Sequence, residues 1–252
     1  TDFTESNFWK DKADAESALA AAYSPIKGAM YGYFSAFDGW LNLNGRGDDI
    51  FTIKGEEVPM WNIANFLNSP STGNDPYGAL YSGIQRANIV LRYIDQIPAS
   101  GITEEDRSMI KGEALFLRGY QYFLLVNNYK EVPLRLIPSN EDETNKGPAS
   151  EAALWTQVEE DLGNAIKCNL PVERTTAKER VTKGAAIAML GKVYATQHKY
   201  PEAKQLLVSL LSAPYSYELV DDFAKNFTNE EEFNKESVYE IASVSYTHLR
   251  AH

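Results

Sequence analysis

The residues best suited to chemistry lie in a long irregular stretch in the first third of the chain. Trp61 and Phe66 supply aromatic rings there, Trp40 stands at its start, and Asn62 and Asn65 supply amides. Binding of a sugar ring needs flat aromatic faces for its apolar side and planar polar groups for its hydroxyls. If this segment forms a helical turn, Trp61 and Asn65 share a face, because they are four residues apart. We therefore treat these five residues as candidate carbohydrate ligands; alternatively, Trp61 and Phe66 only anchor the loop by packing.

The sequence contains little that supports catalytic or metal chemistry. Asp48 and Asp49 are adjacent, whereas the two carboxyl groups of a glycosidase are held at a defined separation across the sugar. We expect this pair to fix the loop rather than to act on a bond. Cys168 is the only cysteine, and the three histidines have no metal-ligand spacing to one another. The sequence therefore predicts no enzyme activity, no metal and no cofactor.

The charge of the chain limits its partners. The net charge is -11 over 252 residues, which argues against nucleic acid or an anionic membrane surface as the main partner. No segment is long and apolar enough for a transmembrane helix or a secretory signal. Because the chain begins with Thr1, we expect a processed or truncated product, so a missing signal peptide does not indicate the cytoplasm.

One apolar stretch organises the elements around these candidates. The segment from Glu113 to Leu136 is apolar or aromatic on nearly every side, which predicts a central buried helix. Thr103, followed by three acidic residues, is a typical start for it. Glu113 and Arg118 lie about 140° apart around the axis, so we expect each to pair with a group on another helix. The helix is predicted to end at residues 127–129, and the chain is predicted to be extended from Val132, because a proline follows it.

Further helices are predicted over residues 13–23, 31–40, 77–97 and 150–168, and the intervening 41–76 is rich in turn-forming residues. A connection of that length is usually functional or disordered. The apolar stripes expected to face the core are Ala15, Leu19 and Ala22; Leu80, Ile84, Ala87, Leu91 and Ile94; and Leu154, Val158, Leu162 and Ala165.

A repeat signal follows residue 183. Gly191, Tyr194, Ala203 and Leu207 keep the spacing of the tetratricopeptide pattern. The two small residues let antiparallel helices approach closely, while Tyr194, Leu207 and Tyr200 are expected to fill the space beside them. One such pair cannot bury its own face, so neighbouring helix pairs must stack on it. Two short extended pieces are predicted beyond it, at residues 215–220 and 237–241.

These segments resemble the SusD/RagB-like outer-membrane nutrient-binding lipoproteins. In order, the similar motifs are FWKDKADAESALAAAY, GDD, LYSGIQRANIVL, GEALFLRGYQYFLLVNNYKEVPL, EDLGNAIKCNLP, RVTKGAAIAMLGKVYATQHKYPEAKQLL and ESVYEI. The positions taken as the structural signature are Glu113, Arg118, Tyr120, Pro133, Gly191, Tyr194 and Ala203. The chain departs from the family at Lys130 and Glu131, where a glycine is usual, and in its length, about half of the usual one.

The resemblance implies a mainly all-α fold, truncated, with tetratricopeptide-like helix pairs, long loops and a few short strands. We interpret residues 1–243 as the N-terminal portion of a SusD-like domain and residues 244–252 as an unpatterned tail foreign to the family. The family further implies a lipid anchor, absent from this chain, in the outer leaflet of the outer membrane. There the protein would capture a glycan or other small nutrient for a SusC-like TonB-dependent transporter, without catalysis.

Two other functions are compatible with the residues. One is a tetratricopeptide scaffold that binds a protein or peptide partner in its groove. The other is an all-helical glycoside hydrolase, which is disfavoured because no credible acid/base pair is present.

Overall fold

The computed structural model describes residues 8–27, 47–48, 61–62, 64–67 and 77–241. Within these ranges the chain is helical, which confirms the predicted mainly-α class. The α-helices are α1 (Lys12–Lys27), α2 (Tyr77–Tyr93), α3 (Glu104–Tyr129), α4 (Glu151–Lys167), α5 (Lys183–Thr196) and α6 (Tyr200–Ser209). Short 3₁₀ helices cover Ile94–Gln96, Phe223–Phe227 and Asn229–Glu231. The predicted helix at 31–40 and the tail at 244–252 lie outside the described residues.

Helix α3 lies at the centre of the bundle, as predicted. It packs against α1, α2 and α4, and α4 in turn packs against α5. Apolar residues on all sides of α3 are buried, among them Ile110, Leu117, Tyr122 and Leu125. A helix surrounded in this way can bury charged groups only where its neighbours supply partners.

The expected helix starts are confirmed by the caps. The Thr103 hydroxyl accepts a hydrogen bond from the Asp106 backbone N–H at 3.1 Å, and Ser150 and Thr182 cap α4 and α5 in the same way. Each cap satisfies an amide that has no partner inside the helix. The predicted core stripes of α1, α2 and α4 are also buried, apart from Leu91, which is half-buried.

The pair formed by α5 and α6 matches the predicted repeat. A Cβ on Gly191 would lie 2.7 Å from Cδ2 of Leu207, so any larger residue would force the Leu207 side chain to move. Ala203 is buried at the same contact. Tyr194 is half-buried. The expected packing role of Tyr200 is wrong: its side chain is 60% exposed and its hydroxyl lies 2.8 Å from Nδ1 of His198.

The two extended pieces do not form strands among the residues that the structure describes. The Glu218 N–H donates to the Lys235 carbonyl at 3.0 Å, and one such bond does not make a ladder. In the same described ranges, no helix combines the length and apolarity needed to cross a membrane.

Candidate functional site

The described part of the candidate ligand loop is a single helical turn. The Asn65 N–H donates to the Trp61 carbonyl at 3.1 Å, and the Leu67 N–H donates to the Asn62 carbonyl at 2.8 Å. The sequence predicts that Trp61 and Asn65 share one face on the condition that this segment forms a helical turn. The structure has that turn. Trp61 and Asn62 are half-buried, while Asn65 is exposed.

The turn ends with a side-chain hydrogen bond from Asn65 and a strained backbone conformation at Phe66. The Asn65 amide nitrogen also donates to the Trp61 carbonyl, at 2.8 Å, so its carbonyl oxygen is the atom left to accept from a ligand hydroxyl. Phe66 has a φ of 58° and is 69% exposed. A bulky residue in the left-handed region is strained, and such strain is typical of functional sites.

The other residues singled out in this loop are placed less fully. Trp40 and Asp49 lie outside the described residues. Asp48 is exposed. Within the described ranges, no group of three or more His, Cys, Asp or Glu side chains could hold a metal ion.

Glu113 is the centre of the first of two charge clusters inside the helix bundle. Its side chain is fully buried and accepts from Nη2 of Arg174 at 2.7 Å and from Nη2 of Arg180 at 2.8 Å. Arg180 also pairs with Glu16 of α1 at 2.8 Å. The cluster thus holds two carboxylates and two guanidinium groups, so its charges balance.

A tyrosine hydroxyl completes this cluster. Tyr23 of α1 donates to Oε2 of Glu113 at 2.5 Å and accepts from the Val181 N–H at 3.0 Å. Burial, together with the nearby Glu113 carboxylate, raises the pKa of Tyr23 well above its ordinary value. Glu113 therefore pairs with a neighbouring helix, as expected, and also with the connection between α4 and α5.

Arg118 is the centre of the second cluster. It makes a bidentate ion pair with Asp161 of α4, at 2.7 and 2.8 Å, and donates to Oδ1 of Asn88 of α2 at 2.9 Å. The Asn88 amide in turn donates to the Arg135 carbonyl at 3.0 Å. The prediction that Arg118 pairs with another helix is confirmed. This cluster fastens α2, α3 and α4 to the extended segment after α3.

Tyrosine hydroxyls hold that extended segment in place. Tyr81 donates to the Pro133 carbonyl at 2.6 Å, and Tyr122 bonds both the carbonyl and the N–H of Arg135. Tyr120 is half-buried and stacks on Phe116, with ring centroids 6.0 Å apart. The signature residues of α3 therefore act as supports within the bundle.

Sequence reasoning missed the ion-pair partners of Glu113 and Arg118, which are Arg174, Arg180 and Asp161. The one available signal was physical, since a buried carboxylate or guanidinium requires a counter-charge. Arg174 and Arg180 lie in a connection without periodicity, 61 and 67 residues from Glu113. No local pattern points to them.

Lys130 lies in the turn after α3, at the position where the resemblance led us to expect glycine. Its φ is 63° and its ψ is -67°, a conformation that glycine adopts without penalty and other residues rarely adopt. Lys130 also pairs with Glu151 at the start of α4, at 3.0 Å. Lys130 therefore holds a strained backbone conformation in this turn.

Comparison with known proteins decides the family. A family model described as "Starch-binding associating with outer membrane" matches residues 49–195. The chain belongs to the SusD-like family. This SusD-like chain is 26% identical over 214 residues to a SusD-like protein of Formosa agariphila, covering 83% of this chain and 40% of that one.

Solved SusD-like structures have the same fold. A SusD superfamily protein from Bacteroides vulgatus superposes with a TM-score of 0.85 at 31% identity, covering 94% of this chain and 50% of its own. A laminarin-binding SusD-like protein gives 0.80 at 29% identity, covering 92% and 51%. The chain spans about half the length of these relatives.

Proposed function

We propose that this chain belongs to a protein that captures an oligosaccharide at the bacterial outer membrane and passes it on without changing it chemically. Membership of the SusD-like family carries the proposal, because the matching model is described as starch-binding and associating with the outer membrane. The relative named for laminarin binding adds support for a polysaccharide of glucose as the ligand.

The turn at residues 61–67 is the binding element we favour, with Trp40 as a further candidate. In this proposal the Trp61 ring covers the apolar face of one sugar, and exposed Phe66 offers a second aromatic surface. The Asn65 carbonyl oxygen and the Asn62 amide would bond the hydroxyls. The hydrogen bonds within the turn support this assignment, because they fix its shape before a ligand arrives.

A non-catalytic role is supported by the ion pairs that the buried carboxylates make. Glu113 and Asp161 are each bonded to arginine in the clusters described above. Hydrolysis of a glycosidic bond needs one carboxyl group as acid and a second as base or nucleophile. Carboxylates held in ion pairs inside a helix bundle are poorly placed for either task.

Lipid anchoring at the extracellular face and delivery to a SusC-like TonB-dependent transporter complete the proposal. They are consistent with the outer-membrane description of the family model. Co-purification from outer membranes tests both, since a delivery protein should bring its transporter with it. Recovery without any transporter would contradict delivery.

Calorimetric titration with maltohexaose and laminarihexaose tests capture itself. We expect one of them to bind, and Trp61→Ala to weaken that binding at least about tenfold. Tyr200→Ala is the matched control, because it removes another exposed aromatic ring outside the turn. Unchanged affinity in Trp61→Ala would remove the turn from the site, and binding of neither sugar would refute glucan capture.

One observation favours the alternative of a protein-binding scaffold. Helix α6 and the residues just after it expose Leu207, Val208 and Leu211, the last at 76%, and exposed apolar side chains of this kind suit a protein contact. In that case Val208→Asp would abolish capture of a partner protein, and added hexasaccharide would have no effect on it.

A further inference from the structure

A cavity of about 330 Å³ is lined by residues between Val172 and Glu240, far along the sequence from the Trp61 turn. Three segments line it: the connection between α4 and α5, the residues after α6, and residues 233–240. It shares no residue with the turn at 61–67. Its size falls at the lower end of the range of roughly 300–1,000 Å³ typical of small-molecule sites.

Three tyrosine rings line the cavity, and two of them pack against helices of the bundle. The rings of Tyr215 and Tyr217 are nearly parallel, 11° apart in orientation, with centroids separated by 6.1 Å. A Cβ on Gly184 would lie 2.2 Å from the Tyr217 hydroxyl, so this ring sits directly on α5. Tyr239 packs edge-on against Phe116 of α3 at 5.5 Å. Flat aromatic surfaces in fixed positions are what the apolar face of a sugar stacks on.

Polar groups among the lining residues can bond hydroxyls. Glu240 accepts from the Phe233 N–H through one oxygen, at 2.9 Å, which leaves the other oxygen available. The Lys178 ammonium and the Ser237 hydroxyl have no hydrogen-bond partner among the residues described. A carboxylate oxygen, an ammonium and a hydroxyl together offer both donors and acceptors.

The charges around the cavity favour a neutral ligand over an anionic one. Arg174 is paired with Glu113 at 2.7 Å, and Lys235 is paired with Glu218 at 3.3 Å. Glu173, Glu240 and Lys178 then remain as two anions and one cation. An anionic ligand would be opposed by the two carboxylates, whereas the hydroxyls of a neutral polyhydroxy compound can bond to the carboxylates and to the ammonium.

The wall nearest to α3 is preorganised. Arg174 lines the cavity while its guanidinium is fixed by Glu113 and by the Val181 carbonyl. Phe233, on another side, has a φ of 56°, a strained conformation for a bulky residue of the kind found at binding sites. A site with fixed walls loses less conformational freedom when a ligand enters.

We propose that this cavity is a second carbohydrate site, which binds one or two sugar residues of a neutral glycan through the rings of Tyr215 and Tyr217 and the polar groups of Glu240 and Lys178. The inference rests on the proposed function, since it assigns a further contact for the same class of ligand. It differs from that function in its location, which allows the two to be tested separately.

Hydrogen exchange of the protein with and without saturating maltohexaose or laminarihexaose reads each site locally. We expect slower exchange in peptides covering 172–182, 214–217 and 233–240, in addition to any change at 61–67. Tyr215→Ala should abolish the protection at the cavity, Tyr215→Phe should retain it because the ring remains, and Tyr200→Ala should leave it unchanged.

The possible outcomes separate the two proposals. Protection at 61–67 alone overturns the cavity assignment and leaves capture by the turn standing. Protection at the cavity that survives Tyr215→Ala also overturns it, because the aromatic wall would then make no contribution. Protection at the cavity alone supports the second site and removes the turn. No protection with either hexasaccharide overturns both, and since these measurements include the unaltered protein, a variant that fails to fold cannot decide the result.

Discussion

The buried charge clusters of α3 and the exposed turn at residues 61–67 use polar groups in opposite ways. In the clusters, Glu113 and Arg118 bond only to other parts of the protein, and their side chains are nearly inaccessible. In the turn, the Asn65 side chain donates to the Trp61 carbonyl, while the Phe66 side chain is 69% exposed. The difference teaches that the residues identifying the family maintain the fold, whereas residues suited to a ligand lie where the fold does not depend on them. Substitutions should therefore separate into effects on stability and effects on affinity.

Replacing Glu113 should produce the largest effect. Glu113→Gln removes the buried carboxylate that pairs with Arg174 and Arg180, whose side chains are 10% and 21% exposed, and breaking a buried pair in this way costs about 3–5 kcal/mol. Urea unfolding followed by circular dichroism measures the loss. Glu141→Gln, which removes an exposed partner of Arg92, is the control and should cost no more than about 1 kcal/mol. Equal losses in the two variants would remove the distinction between the regions.

The second-largest effect should be a loss of folding stability at high pH. Burial raises the pKa of Tyr23, and also those of Tyr81, Tyr122 and Tyr239. Below about pH 10 both folded and unfolded chains keep these protons, but above it only the unfolded chain releases them. Stability should therefore fall as pH rises past 10, by up to about 1.4 kcal/mol per pH unit for each tyrosine.

Unfolding free energies between pH 8 and 11 test this expectation. Tyr23→Phe has no proton to release, so its stability should fall less steeply with pH than that of the unaltered protein. A slope identical in both proteins would show that Tyr23 ionises as readily in the folded state as in the unfolded chain.

Backbone strain where the chain leaves α3 offers a smaller test. Lys130→Gly relieves the positive φ and loses the exposed pair with Glu151, whereas Lys130→Ala loses the pair and keeps the strain. We expect the glycine variant to be about 1 kcal/mol more stable than the alanine variant. Thermal and urea unfolding of both variants measure the difference, and a more stable alanine variant would contradict the strain.

The smallest effect on stability should come from the turn. Phe66→Ala removes a side chain that is mostly exposed, so its free energy of unfolding should stay within about 0.5 kcal/mol of the unaltered value. Its affinity for the bound hexasaccharide should fall. Lost stability with unchanged affinity would mean that Phe66 belongs to the supporting structure, which would break the comparison.

Helices and caps could be predicted from the sequence because their causes are local. The stripe of Leu154, Val158 and Leu162 and the cap at Thr103 depend on residues within one or two turns. The close contact of Gly191 with α6 was also predictable, because the repeat fixes its spacing. These elements position the site without forming it.

The partners of Glu113 and the second cavity could not be predicted, because distant segments build them. Arg174 and Arg180 reach Glu113 from a connection, and the cavity combines three segments separated along the chain. The helical turn that the argument for Trp61 and Asn65 required is present in the structure, yet their role in binding stays a prediction. Tyr200 misled the sequence reasoning because an aromatic residue beside a packed repeat can equally face solvent.

The network around Glu113 also sets an order of events during synthesis. A ribosome adds about 5–20 residues per second, so Glu16, Tyr23 and Glu113 exist for several seconds before Arg180. During that interval the Glu113 carboxylate lacks both of its guanidinium partners, and burying it alone would be costly. Helices α1 and α3 therefore have to stay apart around Glu113, with apolar surface in water, until the connection after α4 has been made.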